Sequence, residues 1–66
     1  MKDGTYRYVQ DSMRPLEYTI IVKNGVVTDA YVDQVLGNYR SSGGWERSMI
    51  GKSVDELDLS EYKKIR

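Results

Sequence analysis

The sequence predicts a small α+β domain: an antiparallel meander of three to four strands with one short C-terminal helix. Three observations carry that expectation. Asn24-Gly25 stands between two β-rich runs, Leu16–Lys23 and Val26–Val32. Thr5–Gln10 alternates with a period of two. Ser53-Val54-Asp55-Glu56 has the spacing of a helix capping box.

The first strand is Thr5–Gln10. Tyr6 and Tyr8 share one face, and Thr5, Arg7 and Val9 share the other. Asp11-Ser12-Met13-Arg14-Pro15 forms the connection, because Asp and Ser favour turns and Pro15 drives Arg14 out of the helical region. In the second strand, Leu16, Tyr18, Ile20 and Val22 point one way, and Glu17, Thr19, Ile21 and Lys23 the other. A five-residue loop sets Tyr8 opposite Tyr18. A four-residue loop would slip the register and turn Tyr6 and Tyr8 to the Ile21 face. Aromatic cross-strand neighbours favour the first arrangement.

Asn-Gly tolerates positive φ at both central positions, which a two-residue type I′ turn requires. Regular pairing from that turn sets Val22 against Val27, Ile20 against Asp29 and Tyr18 against Tyr31. Tyr8, Tyr18 and Tyr31 then form a three-tyrosine cluster. Asp29 becomes the odd carboxylate on an apolar face, with Arg7 or Arg40 as its partner or solvent at its edge. Apolar residues on both faces imply cover on each side, or assembly through one of them.

Val32–Leu36 extends the strand or begins a helical turn, and Gly37-Asn38 breaks the pattern. Tyr39–Ser42 reads as a short strand, and Ser41-Ser42-Gly43-Gly44 as a turn or loop. Trp45, Met49 and Ile50 are spaced like one side of a helical turn. The capping box starts a helix at Ser53 that runs to about Asp58, with Val54, Leu57, Leu59, Tyr62 and Ile65 as its apolar face. Lys63-Lys64-Ile65-Arg66 is expected to fray.

The chain has 66 residues, which is one domain spanning 1–66. A domain of this size buries only ~60% of its unfolded surface, so self-association or a stable partner would help it. There is no cysteine and no histidine. Disulfides, Cys/His zinc sites and the Ser-His, Cys-His and Glu-His catalytic pairs are thereby excluded. Ten basic residues balance ten acidic ones, leaving no global field to attract nucleic acid or an anionic membrane. No apolar run approaches the ~20 residues that span a bilayer, and Met1-Lys2-Asp3-Gly4 does not open a signal peptide. The expected compartment is the cytoplasm, with a mature exported domain stripped of its leader as the alternative.

Gly51-Lys52-Ser53 is not a phosphate loop, because Glu46 stands where the motif needs its first glycine. A helix starting at Ser53 beside Lys52 could still hold one anion. Trp45 follows two glycines, with Arg47 two residues on. It reads either as a core plug or as a contact residue, since Trp and Arg are enriched in binding hot spots. The tyrosines read as structural residues or as a stacking platform with Arg7, Lys23, Arg40 and Arg47.

Two family resemblances follow from these residues. Asp3-Gly4-Thr5-Tyr6 with Tyr18–Asp29 resembles the opening hairpin of bacterial FMN-binding domains of the respiratory flavoprotein type. That likeness covers the first half of the chain and implies flavin as a ligand. Ser12-Met13-Arg14-Pro15 stands where that family has a glycine-rich segment, and the Ser/Thr-Gly-Ala-Thr attachment motif is missing. Tyr6-Arg7-Tyr8, the Ile20–Val27 hairpin and Val54-Asp55-Glu56-Leu57 resemble an uncharacterised family of small bacterial domains, which implies a fold and no activity.

The leading functional expectation is a non-enzymatic protein-interaction module. It would be a small intracellular regulator, adaptor or phage-type inhibitor that binds a larger protein and forms a homodimer, without a cofactor. Its contact residues are Trp45, Arg47, Arg40, Tyr8, Tyr18 and Tyr31, with Lys52 and Ser53 as an anion site. The alternatives are a small-molecule binder stacking flavin or a nucleotide on the tyrosines, and a single-stranded nucleic-acid binder.

Overall fold

The computed structural model describes residues 2–35, 40–41 and 44–66. Three long strands form the meander: β1 (Gly4–Gln10), β2 (Leu16–Lys23) and β3 (Val26–Gln34). Two-residue strands, β4 (Arg40–Ser41) and β5 (Lys63–Lys64), add one to each edge. The sheet order is β4-β3-β2-β1-β5 and its pairings are antiparallel.

The five-residue connection is the one that forms. Tyr8 pairs with Tyr18, and Gln10 with Leu16. The Asn24-Gly25 turn has positive φ at both positions, 54° and 75°, as a type I′ hairpin requires. The Asn24 amide also donates to the Asp3 carboxylate at 2.8 Å.

The pairing beyond the turn corrects the regular register. Val22 meets Val27 as expected, but Ile21 then meets Asp29, with Thr28 left over as a β-bulge. From there Ile20 faces Ala30, Thr19 faces Tyr31, and Tyr18 faces Val32. The physical reason is the carboxylate. Unbroken alternation would carry Asp29 into the core beside Val27, and an unpaired buried charge is costly. The bulge sends Asp29 and Tyr31 to the outer face and brings Ala30 and Val32 inward. Tyr31 is therefore not part of a cluster with Tyr8 and Tyr18. Arg7 lies 3.2 Å from Glu17 rather than pairing with Asp29, close enough for an ion pair though not angled as a hydrogen bond.

The inner face holds the core: Tyr6, Ile20, Val22, Val27, Ala30 and Met49. Its cover is the helix α1 (Gly44–Met49) followed by an extended C-terminal segment with a single 3₁₀ turn at Val54–Glu56. Trp45, Val54, Leu57, Leu59 and Tyr62 pack against the core from that side. Ile65, expected on the same apolar face, is exposed.

The helix expected from Ser53 to Asp58 is thus only a 3₁₀ turn, and the α-helix lies earlier. The Ser53 hydroxyl does cap, but it accepts from the Asp55 amide at 3.3 Å rather than from Glu56, whose amide donates to the Ser53 carbonyl. The reason lies upstream. Residues 51–54 are strapped to the hairpin tip: Gly51 N–H donates to Val27 O, Val27 N–H to Lys52 O, and Val54 N–H to Gly25 O, at 2.7–2.9 Å. A segment tied into the sheet edge at Val26–Ser53 cannot also wind into a longer α-helix.

The C-terminus does not fray. Lys64 pairs with Tyr6 and Lys63 with Arg7, and Ile65 N–H donates to Thr5 O at 2.8 Å. The expected short strand at Tyr39–Ser42 is present as Arg40–Ser41, while positions 39 and 42 lie outside the described residues, as do Leu36, Gly37 and Asn38.

A candidate aromatic cleft

Where the inner face runs past the core, β1, β2, α1 and the C-terminal segment each contribute one ring. Tyr8 and Tyr18, paired across β1 and β2, stack with ring centres 5.8 Å apart. Trp45, from the first turn of α1, meets Tyr18 edge-on at 5.0 Å. Tyr62 tilts against Tyr8 at 5.6 Å. These separations fall in the range where aromatic pairs attract beyond simple burial. The chain of contacts Tyr62–Tyr8–Tyr18–Trp45 floors an open cleft of about 490 Å³.

Its remaining lining is polar: Gln10, Asp58, Ser60 and Glu61. The Tyr18 hydroxyl donates to Gln10 Oε1 at 3.4 Å, at the long limit of a hydrogen bond. The Ser60 amide donates to Asp58 Oδ1 at 3.2 Å, and hydrogen bonding to Ser60 lowers the Asp58 carboxyl below its usual value. Burial pushes the Tyr62 hydroxyl up to about 12, with the neighbouring Tyr18 and Tyr8 adding to the shift. The Tyr62 hydroxyl thus keeps its proton, and the carboxylates of Asp58 and Glu61 make the rim acidic. Among the described residues lining it there is no Lys or Arg. A single-strand stacking platform needs the reverse, aromatics beside a positive groove.

The predicted contact residues divide. Tyr8, Tyr18 and Trp45 come together in the cleft. Trp45 is half-buried against the core and also lines the cleft. Arg47 is exposed on α1 and does not line the cleft. Arg40 pairs through its backbone with Asp33, and its side chain lies outside the described residues. Tyr31 is on the opposite face, across from Thr19.

At Lys52 and Ser53 the structure forms no cradle of free amides. The Gly51, Lys52 and Val54 amides donate to the Val27, Met49 and Gly25 carbonyls, and the Asp55 amide to the Ser53 hydroxyl. Among the described residues there is no group of acidic side chains that could hold a metal ion, and no helix long and apolar enough to cross a membrane.

Sequence reasoning missed Tyr62, Asp58, Ser60 and Glu61 as cleft residues. Tyr62 reads as one more apolar position of a C-terminal helix. Nothing local shows that its segment folds back across β1, because that placement comes from pairing between the two ends of the chain. Comparison of the chain with protein-family models, with curated proteins and with solved structures gives no match in any of the three.

Proposed function

We propose that this protein is a non-enzymatic protein-interaction module, a small regulator or inhibitor that engages a larger protein through the aromatic cleft. One observation carries the reading: Tyr8, Tyr18, Trp45 and Tyr62, drawn from four parts of the fold, lie side by side in an open cleft. Tyr and Trp dominate binding energetics because they present large, rigid area with few rotamers to freeze. The outer sheet face, with Ile21 and Tyr31 half-exposed, is the surface through which a homodimer would form.

The test is affinity capture of a tagged protein from its own cells, beside a Tyr62→Ala variant. The expected result is one larger protein recovered in fixed proportion with the native chain. It should be lost with the variant, whose NMR spectrum should stay native away from the cleft. Equal recovery by both chains would overturn the cleft as the contact surface.

A second reading, a small-molecule binder for flavin or a nucleotide, is favoured by the cleft volume, which falls in the ~300–1,000 Å³ range of ligand pockets. Native mass spectrometry separates the two. A reproducible small excess mass on each chain would replace the interaction module with a ligand carrier.

A further inference from the structure

We infer that the occupant of the aromatic cleft is a basic side chain of the partner protein, with an arginine guanidinium fitting it best; this rests on the interaction reading above. Aromatic faces carry negative charge density and attract a cation set over them. Here the lining rings are tyrosines and a tryptophan, and tryptophan gives the strongest such attraction.

The rim adds formal charge of the same sign. Asp58 and Glu61 both line the cleft and both are exposed. Among the described residues neither has a salt-bridge partner. Hydrogen bonding from Ser60, its side chain first and its amide second, favours the ionised Asp58 carboxylate, so the charge persists at neutral pH. Gln10 provides a side-chain carbonyl acceptor on the same wall. A guanidinium suits such a lining, because it stacks flat on a ring while its N–H groups reach sideways to acceptors. An ammonium offers a point charge and no flat face. A phosphate or carboxylate would meet repulsion at the rim and find no lining cation among the described residues.

A neighbouring groove gives the partner chain a path. It shares Tyr8 and Glu61 with the cleft and continues along β1 past Arg7 and Val9. Lys63 lines that groove and does not line the cleft, so the basic side chain belongs on the Asp58 side.

The magnitudes are modest and measurable. A cation over an exposed ring contributes less than one over a dry ring, and exposed carboxylates add little individually. Together they should separate a charged from a neutral occupant by about tenfold in Kd.

The experiment is an NMR titration of the full chain with short alanine-flanked peptides. One carries arginine, one lysine, and one citrulline, the neutral analogue of arginine with nearly the same shape. The expected result is saturable movement of the Trp45 indole and Tyr62 ring signals with the arginine peptide. Binding should be weaker with lysine and about tenfold weaker with citrulline. The Asp58→Asn, Glu61→Gln double variant should weaken the arginine peptide a few-fold and flatten its salt dependence, since the substituted amide at position 58 keeps an acceptor for the Ser60 N–H. Equal binding of arginine and citrulline peptides, or signals that move only outside the cleft, would overturn the cationic occupant. If Tyr62→Ala still loses the captured protein in that case, the interaction reading survives and only the occupant falls. Lysine binding as tightly as arginine would overturn the guanidinium preference.

Discussion

At the scale of single residues, Tyr62 reports on the cleft most directly. Its hydroxyl is pushed up to about 12, first by burial and then by Tyr18 and Tyr8. In the unfolded chain it ionises near its ordinary value, about 10. The folded state therefore holds the proton where the unfolded state releases it. The resulting stabilisation is complete below pH ~10 and is lost as pH rises from ~10 towards ~12. In denaturant melts across that window, the native protein should lose more stability than a Tyr62→Phe variant, whose ring cannot ionise. Identical alkaline profiles would mean that Tyr62 is solvated. The residue scale is also where the sequence was least informative about the site. Tyr8, Tyr18 and Trp45 could be singled out from composition and spacing. Asp58, Ser60 and Glu61 look like any polar stretch until the chain folds back over β1.

At the scale of elements, the hairpin turn was legible because Asn24-Gly25 fixes a backbone conformation that few other pairs accept. The first loop was legible because only one length pairs Tyr8 with Tyr18. Regular alternation conceals the bulge, although the sequence carries its signal. Asp29 sits at a core-facing position of the regular alternation, and a carboxylate there is a reason for the strand to change phase. Deleting Thr28 tests this. Without the extra residue Val27 still meets Val22, Asp29 meets Ile21 and Ala30 meets Ile20, so a regular ladder keeps Asp29 outside and Ala30 and Val32 inside. The deletion should therefore leave the chain folded with its stability little changed in chemical unfolding. A loss on the scale of a buried unpaired charge, about 3–5 kcal/mol, would mean that the bulge serves something other than the phase of Asp29. The C-terminal helix is shorter than its capping box suggests for a related reason. A capping box states where a helix can start, and the backbone bonds from residues 51–54 to the hairpin tip decide how far it continues.

At the scale of the whole molecule, the two ends of the chain close the sheet against each other. Thr5 N–H donates to Arg66 O, and Ile65 N–H to Thr5 O. Gly4 makes the approach possible. Its φ is 154°, and a Cβ there would collide with the Arg66 carbonyl and press on the Lys64 side chain. Gly4→Ala should therefore release β5 from β1. Hydrogen exchange should read this as loss of protection at Ile65, while the β2–β3 amides stay protected. Retained protection at Ile65 would show that the edge adjusts around the methyl group. The fold class was legible at this scale, but the closure was not. Pairing between positions at opposite ends of a chain leaves no mark in any local window.

That closure also sets a sequence of events in time. The β2–β3 hairpin joins residues close in the chain, so its contacts form at small entropic cost and early. Pairing of β5 with β1 closes a loop of nearly the whole chain and must come late. Interactions made after the rate-limiting step leave the folding rate alone and govern the rate of escape from the native state. The two-residue strand at the edge is then the latch of the molecule. It contributes little to how fast the protein folds, and much to how long the cleft that Tyr62 completes stays assembled.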